Sequence, residues 1–343
     1  MNSIASSVSR RPDVLVAGLA TAVYLQRQTT NPAEKRVLCE APGASADPSE
    51  QWKAPTKPPS WIRKEVLARI GVPLPIPRVL TPADSALKLP KWCIARRNKD
   101  EEKVIALLNT APTLKGDPEK IQKLGEQIFE VTYGKGVTPQ IREDFLIKYG
   151  CTGWTDEVLS TIIDKCQTRG IVELGAGHGQ WARALTEAYA ERIQTTGKET
   201  KRIDFVLAYD DMSSLPLNTH IYNQYTQPHH DHFGDVKKLE SRTDTTKVLR
   251  SWACRGRALL LVYPSPGDMA LSIVQEYVNV GPENDTIIYI GEGRGGANGS
   301  EVFFDYLESG AWVLSKVLNV KSPPGNKGYE KVYILQRRKS DRI

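Results

Sequence analysis

The chain has 343 residues, of which 40% are apolar and 25% charged, with a formal net charge of +6. That length holds one large domain or two modest ones, the composition is ordinary for a globular protein, and the mild basicity suits nucleic acid or an acidic partner without amounting to a footprint. The five cysteines (Cys39, Cys93, Cys151, Cys166, Cys254) are scattered with no C-x-x-C pair, which argues against a secreted disulfide scaffold and fits a reducing compartment.

Met1 to Arg11 holds Arg10, Arg11, four serines and no acid. This composition resembles a mitochondrial targeting peptide, so residues 1–40 are read as a targeting segment and the location as mitochondrial, otherwise cytoplasmic. Val14 to Leu25 is apolar and free of charge, but too short for a comfortable membrane span. It reads alternatively as the core of a secretory signal, which the cysteine pattern opposes, or as a short helix of the mature protein. Ala41 to Ser60 is rich in Pro, Ala and Ser, and Pro73, Pro75 and Pro77 stop a helical pattern that begins at Trp61. Residues 41–98 therefore read as a Pro-rich linker or arm. Asp100–Leu108, Pro118–Thr132 and Pro139–Lys148 are helical patterns, giving a helical extension over 99–150. The remainder, 151–343, is expected to be an α/β domain. Thr155 is placed to N-cap its first helix, with Asp156 and Glu157 in the first turn and Val158, Leu159, Ile162, Ile163 and Cys166 on one apolar face.

The most informative stretch follows. Ile171-Val172-Glu173-Leu174 is a short β-branched run ending near an acid, and Gly175, Gly177 and Gly179 alternate after it. A helical pattern then starts at Gln180. This reads as a buried strand, a tight turn and a helix N-terminus, at the strand end where open α/β sheets bind ligands. The G-x-G-x-x-G dinucleotide frame fails from Gly175, because Gln180 stands at its last position. From Gly177 it tolerates Ala182, but the acid expected ~20 residues on is displaced. The pattern acidic-x-Gly-x-Gly-x-Gly resembles instead the first motif of the class I S-adenosyl-L-methionine (SAM) dependent methyltransferases. Glu173, Gly175, Gly177 and Gly179 match each fixed position. An ordinary strand-to-helix turn is the plainer alternative, though glycines cost backbone entropy unless their freedom is used.

The later elements keep the order that this resemblance implies. A helix from about Gln180 to Arg192 leads to a strand over Ile203–Asp211, ending in two carboxylates. By resemblance Asp210 accepts hydrogen bonds from the ribose hydroxyls, with Asp211 as runner-up and a solvated strand end as the alternative. Phe233-Gly234-Asp235-Val236 is the weak third strand, and Asp235 resembles the acid beside the adenine amino group. Gly-Asp is also common turn chemistry. Arg257–Tyr263 is a continuous apolar strand, suited to burial on both faces, followed by a helix over Met269–Val280. Thr286–Gly291 is the fifth strand, with a glycine-rich loop and a helix from Ser300 to Leu307. Trp312–Leu318 and Tyr329–Leu335 form a terminal hairpin around Pro323-Pro324-Gly325. The expected fold is α/β: a doubly wound, mostly parallel seven-stranded sheet with a C-terminal antiparallel hairpin, preceded by the helical extension.

A narrower resemblance joins Tyr149-Gly150-Cys151-Thr152-Gly153-Trp154 to Gln180-Trp181-Ala182. It is similar to a poorly characterised methyltransferase-like family of bacteria and microbial eukaryotes. That family has a Trp-Pro-Pro-Tyr-like turn after the fourth strand and a Gly-Glu-Gly loop after the fifth. Gly291-Glu292-Gly293 matches; Tyr263-Pro264-Ser265-Pro266 departs. The Asn-Pro-Pro-Tyr motif of amino-group methyltransferases is missing as well, so methylation of a base or glutamine amine is unsupported.

The resemblance implies SAM as cofactor, held by Glu173, Gly175, Ala176, Gly177, Gly179, Asp210, Asp211, Asp235 and Tyr263. Tyr263, Glu292 and Arg294 are candidates beside the acceptor. Each has a structural alternative: Tyr263 as a core aromatic, Glu292 with Arg294 as a surface ion pair. His230 and His232 share a face of an extended segment with His229 nearby, but no second ligand cluster supports a metal; a polar surface loop is preferred. Three functions compete. The first is methyl transfer to an unidentified acceptor, which is protein, RNA or a small molecule. The second is a catalytically inactive scaffold or assembly factor that binds a mitochondrial ribonucleoprotein. The third, NAD-dependent oxidation, fits the glycine frame poorly.

Overall fold

The computed structural model describes residues 87–114, 117–196, 204–212, 235–325 and 328–338. The readings on the targeting segment, on most of the Pro-rich arm and on the histidine cluster lie outside these residues.

Among the described residues the helical extension comprises α1 (Lys91–Thr110), α2 (Pro118–Tyr133) and α3 (Pro139–Tyr149). α2 and α3 begin as their sequences dictate. Asp117 and Thr138 each cap with a side-chain oxygen and a proline follows, where its missing N–H is harmless. α1 starts at Lys91, nine residues before the apolar pattern that predicted it. α1 and α2 close on a small core of Val104, Leu124 and Ile128.

The α/β part runs α4 (Asp156–Cys166), β1 (Ile171–Leu174), α5 (Gln180–Thr196), β2 (Val206–Asp210), β3 (Val236–Lys238), α6 (Arg242–Arg250) and β4 (Ala258–Val262). It continues with α7 (Met269–Val280), β5 (Thr286–Gly291), α8 (Glu301–Leu307), β6 (Trp312–Asn319) and β7 (Lys331–Arg337). Thr155 caps α4 through the N–H of Val158 at 3.3 Å, above the apolar face read from the sequence. The seven strands form one sheet in the order β3-β2-β1-β4-β5-β7-β6. The first five are parallel, and β7 runs antiparallel to both β5 and β6.

Strand alternation feeds two cores, one on each face of the sheet. Leu259 and Leu261 of β4, Ile287 and Tyr289 of β5, and Tyr333 and Leu335 of β7 pack with Val274, Tyr277, Phe303 and Phe304 of α7 and α8. Leu260, Ile288, Ile290, Val332 and Ile334 face the other way, against Leu159, Ile162, Trp181 and Leu185 of α4 and α5. The result is a three-layer, doubly wound α/β fold with an antiparallel β5/β7/β6 addition at its C-terminus.

Register fixes which loops share an edge. The ends of β1, β2, β4 and β5 and the β6–β7 connection all lie on the carboxyl side of the parallel strands. The helical extension is tied to that side. Leu89 donates to the Arg294 carbonyl at 3.0 Å and Arg294 to the Leu87 carbonyl at 2.6 Å. Gly153 bridges to Lys321, and the end of α2 abuts Gly325. Among the described residues no helix is long and apolar enough to cross a membrane.

Candidate functional site

β1 ends at Leu174 and the chain turns at once. Gly175, Gly177 and Gly179 have φ of +75°, +58° and +75°, a region that costs an L-residue ~1–2 kcal/mol. All three glycines are therefore used. The N–H groups of Gly175 and Ala176 both donate to the Tyr209 carbonyl, at 2.9 and 3.1 Å, which pins the turn to β2. Gly179 donates to the Ala176 carbonyl at 2.9 Å and α5 begins at the next residue.

Asp210, the last residue of β2, is buried against this turn. Its Oδ2 accepts from the Gly177 N–H at 2.8 Å, and its Oδ1 from the Met212 N–H at 2.7 Å. The carboxylate is thus oriented by backbone donors on both oxygens. Met212 adopts φ +59°, a strained setting for a non-glycine residue. Asp211 is exposed.

Glu173 lies under the turn, on the α4/α5 face, and is only 1% exposed. The Ala182 N–H at the start of α5 reaches its carboxyl, while Oε2 has no hydrogen-bond partner. Burial, and then the Asp210 charge, push its pKa up to about 8. A glycine turn free of side chains and a carboxylate oriented by backbone donors on both oxygens fit a ligand that brings hydroxyl groups.

Asp235 is exposed at the amino end of β3. Lys238, not Asp235, aligns with Asp210, so the fold does not bring Asp235 to the ligand edge. Leu239, which donates to the Asp210 carbonyl at 2.8 Å, is the first residue past β3's carboxyl end.

Tyr263 leaves β4 with φ +49°, its N–H on the Ile290 carbonyl at 2.7 Å. The Pro264 carbonyl accepts from the Gly299 N–H at 3.2 Å and from Asn298 Nδ2 at 3.4 Å. The fourth-strand turn and the fifth-strand loop are thus one unit. Within it, Glu292 and Arg294 do not pair with each other. Glu292 is buried, paired with Arg97 of α1, and accepts the Ala297 N–H at 2.6 Å. The Arg294 guanidinium is engaged by Glu301 and, at 2.8 Å, Asp305 of α8, and by Glu308 at its carboxyl cap at 3.0 Å.

The segment Tyr149–Trp154 does meet Gln180-Trp181. Trp181 Nε1 donates to the Thr152 carbonyl at 2.9 Å, and Trp154 packs edge-on against Trp181 with centroids 5.4 Å apart. Sequence reasoning missed Arg97 and Glu330, which reach the same edge from residues far apart in the chain. The available signal was the acid at Glu330 within an otherwise strand-like run.

No family model matches the chain, and no curated protein matches it. Among solved structures it is similar to the mitomycin 7-O-methyltransferase MmcR, at 11% identity and a TM-score of 0.26, over 75% of this chain and 76% of that one. The fold assignment rests on strand order and register, not on that likeness.

Proposed function

We propose that this protein is a SAM-dependent methyltransferase. The observation that carries the reading is the Asp210 carboxylate, held on the Gly177 N–H at 2.8 Å at the adjoining carboxyl ends of β1 and β2. When bound, SAM supplies an electrophilic methyl group for in-line displacement. Asp210 would accept from the ribose hydroxyls, and a carboxylate can take both. Gly175, Ala176, Gly177 and Gly179 would let the backbone approach closely. Glu173, whose carboxyl takes the Ala182 N–H beneath the turn, would fix the start of α5 and so the shape of the cofactor-binding turn. Tyr263 and Glu292 border the acceptor half; Arg294 acts as the tie to α8, and Asp235 is left out. Catalysis then consists mainly of holding donor and nucleophile aligned.

Tritiated methyl transfer into cell extract, separated into protein, RNA and small-molecule fractions, tests this directly. The proposal expects label in one fraction. No label in any fraction, with SAM bound, would favour the inactive scaffold that binds a ribonucleoprotein. Import into mitochondria is proposed from residues 1–40 alone, and a reporter fused to them should reach that compartment. A diffuse cytosolic signal would contradict it.

A further inference from the structure

α1 carries Trp92, Arg96, Lys99 and Lys103 at successive spacings of four, three and four residues. Those intervals put all four side chains on one face of the helix, and all four are exposed. At 1.5 Å per residue the stripe is ~16 Å long. The opposite, apolar face of α1 is already covered: Cys93 and Val104 are buried, Val104 against α2. A helix that lies on a membrane must offer such a face to the lipid, and Trp92, 62% exposed, is the one large apolar side chain that α1 leaves to solvent.

An open groove of about 630 Å³ runs beside the stripe, between α1 and α2 and bordered by Gly325 of the β6–β7 connection. It is lined by three cations, Arg96, Lys103 and Lys135, and two carboxylates, Asp100 and Glu130. Arg96 is engaged by the Tyr329 hydroxyl. Lys99, Lys103 and Lys135 have no ion-pair partner among the described residues. The opposite edge of the sheet is built differently. Trp252, before β4, is 87% exposed, but the arginines around it are neutralised, Arg250 by Glu276 at 3.7 Å and Arg255 by Glu283.

A row of cations ending in an exposed indole matches a single-stranded polynucleotide. The cations track the phosphates, and the indole stacks on a base, which an acidic peptide does not bring. A stripe of ~16 Å spans about four or five nucleotides at ~3.4 Å each. Carboxylates between the cations oppose phosphate but accept hydroxyl donors, and RNA offers a 2′-hydroxyl on each sugar. Trp92 stands edge-on to Tyr329 at 5.6 Å, close to where Leu89 joins the fifth-strand loop, so the stripe ends at the carboxyl edge of the sheet.

We propose that this face of α1, with the groove beside it, binds single-stranded RNA. Trp92 stacks on a base, Arg96, Lys99, Lys103 and Lys135 contact phosphates, and Asp100 and Glu130 accept from ribose 2′-hydroxyls. The binding requires no methyl transfer, so it stands or falls separately from the SAM reading.

The test is fluorescence anisotropy of the full chain, without SAM, on a labelled oligouridine of about 12 nucleotides. The DNA strand of the same length and phosphatidylserine vesicles are run beside it, with salt varied from about 50 to 200 mM. Trp92→Ala should weaken RNA binding about five- to a hundredfold, and Trp92→Phe should stay within about threefold of wild type. Trp252→Ala, which removes the more exposed indole, should change it less than about twofold. Replacing Lys99, Lys103 and Lys135 together by Gln should flatten the dependence of log affinity on log salt by about 2, or about 0.7 per lysine. The DNA strand should bind at least about threefold more weakly. No RNA binding by the wild type at about 50 mM salt would overturn the proposal. So would equal losses from Trp92→Ala and Trp252→Ala, an unchanged salt slope in the triple variant, or binding to the vesicles in place of RNA. Equal affinity for the DNA strand would overturn the choice of RNA.

Discussion

Gly177 and Asp210 are 33 residues apart and meet through one 2.8 Å hydrogen bond, and each answers a different local demand. At φ +58° a β-branched side chain is strained, so Gly177→Val should cost ~1–2 kcal/mol of stability. It should also weaken SAM binding at least about tenfold by displacing the turn; thermal unfolding and calorimetry read the two effects separately. Glu173 has a sign that can be worked out. Its folded pKa is about 8, against ~4.3 for an unfolded glutamate. The folded state holds the proton more tightly, so this stabilisation is full below pH ~4.3 and lost as pH rises through about 8. Glu330, raised to about 7, runs the same way. The urea midpoint should therefore fall between pH 5 and 8, and Glu173→Gln should flatten that fall by on the order of 3–5 kcal/mol. A midpoint with the same pH dependence in wild type and variant would contradict this assignment.

At the scale of elements, the amino edge of the sheet is held apart from the site. Arg169, between α4 and β1, donates to the Gly256 carbonyl at 2.7 Å, Asp285 at 2.6 Å and the Glu283 carbonyl at 2.6 Å. Arg169→Ala strips these acceptors, and the Thr286 hydroxyl at 2.9 Å, of their donor and should cost ~2–4 kcal/mol in urea unfolding while leaving SAM affinity unchanged. An equal loss of affinity would mean that the two edges are coupled. Legibility also differs element by element. β5 and α7 were read to the residue, because a strand buried on both faces is a bare apolar run and α7 carries a clear apolar stripe. α6 was missed: Val248 and Leu249 are the only apolar residues in Arg242–Arg250, and no stripe can form. β3 was weak for the same reason, with Val236 its one buried residue.

Across the whole molecule, the two halves of the candidate site were written differently in the sequence. The cofactor half is local: one glycine turn and the end of the next strand. A second cluster on the same edge gathers Arg97, Glu292 and Glu330, and only the docking of the helical extension onto the sheet edge brings Arg97 to the two acids. No local pattern announces such a cluster. Docking depends on close backbone approach, since a Cβ on Gly325, at φ +85°, would overlap the Tyr133 carbonyl at the end of α2. Gly325→Val should release α1 and α2 to limited proteolysis while the sheet stays resistant; unchanged cleavage would show that the extension is held by its other ties alone. The central claim is the cofactor site. Its most direct test is calorimetric titration of the protein with SAM and with the demethylated product, S-adenosylhomocysteine, beside Asp210→Ala. The account predicts binding of both ligands by the wild type, weakened at least about a hundredfold in the variant, which removes a charge-assisted pair of hydrogen bonds. No binding by the wild type, or equal binding by Asp210→Ala, would contradict it.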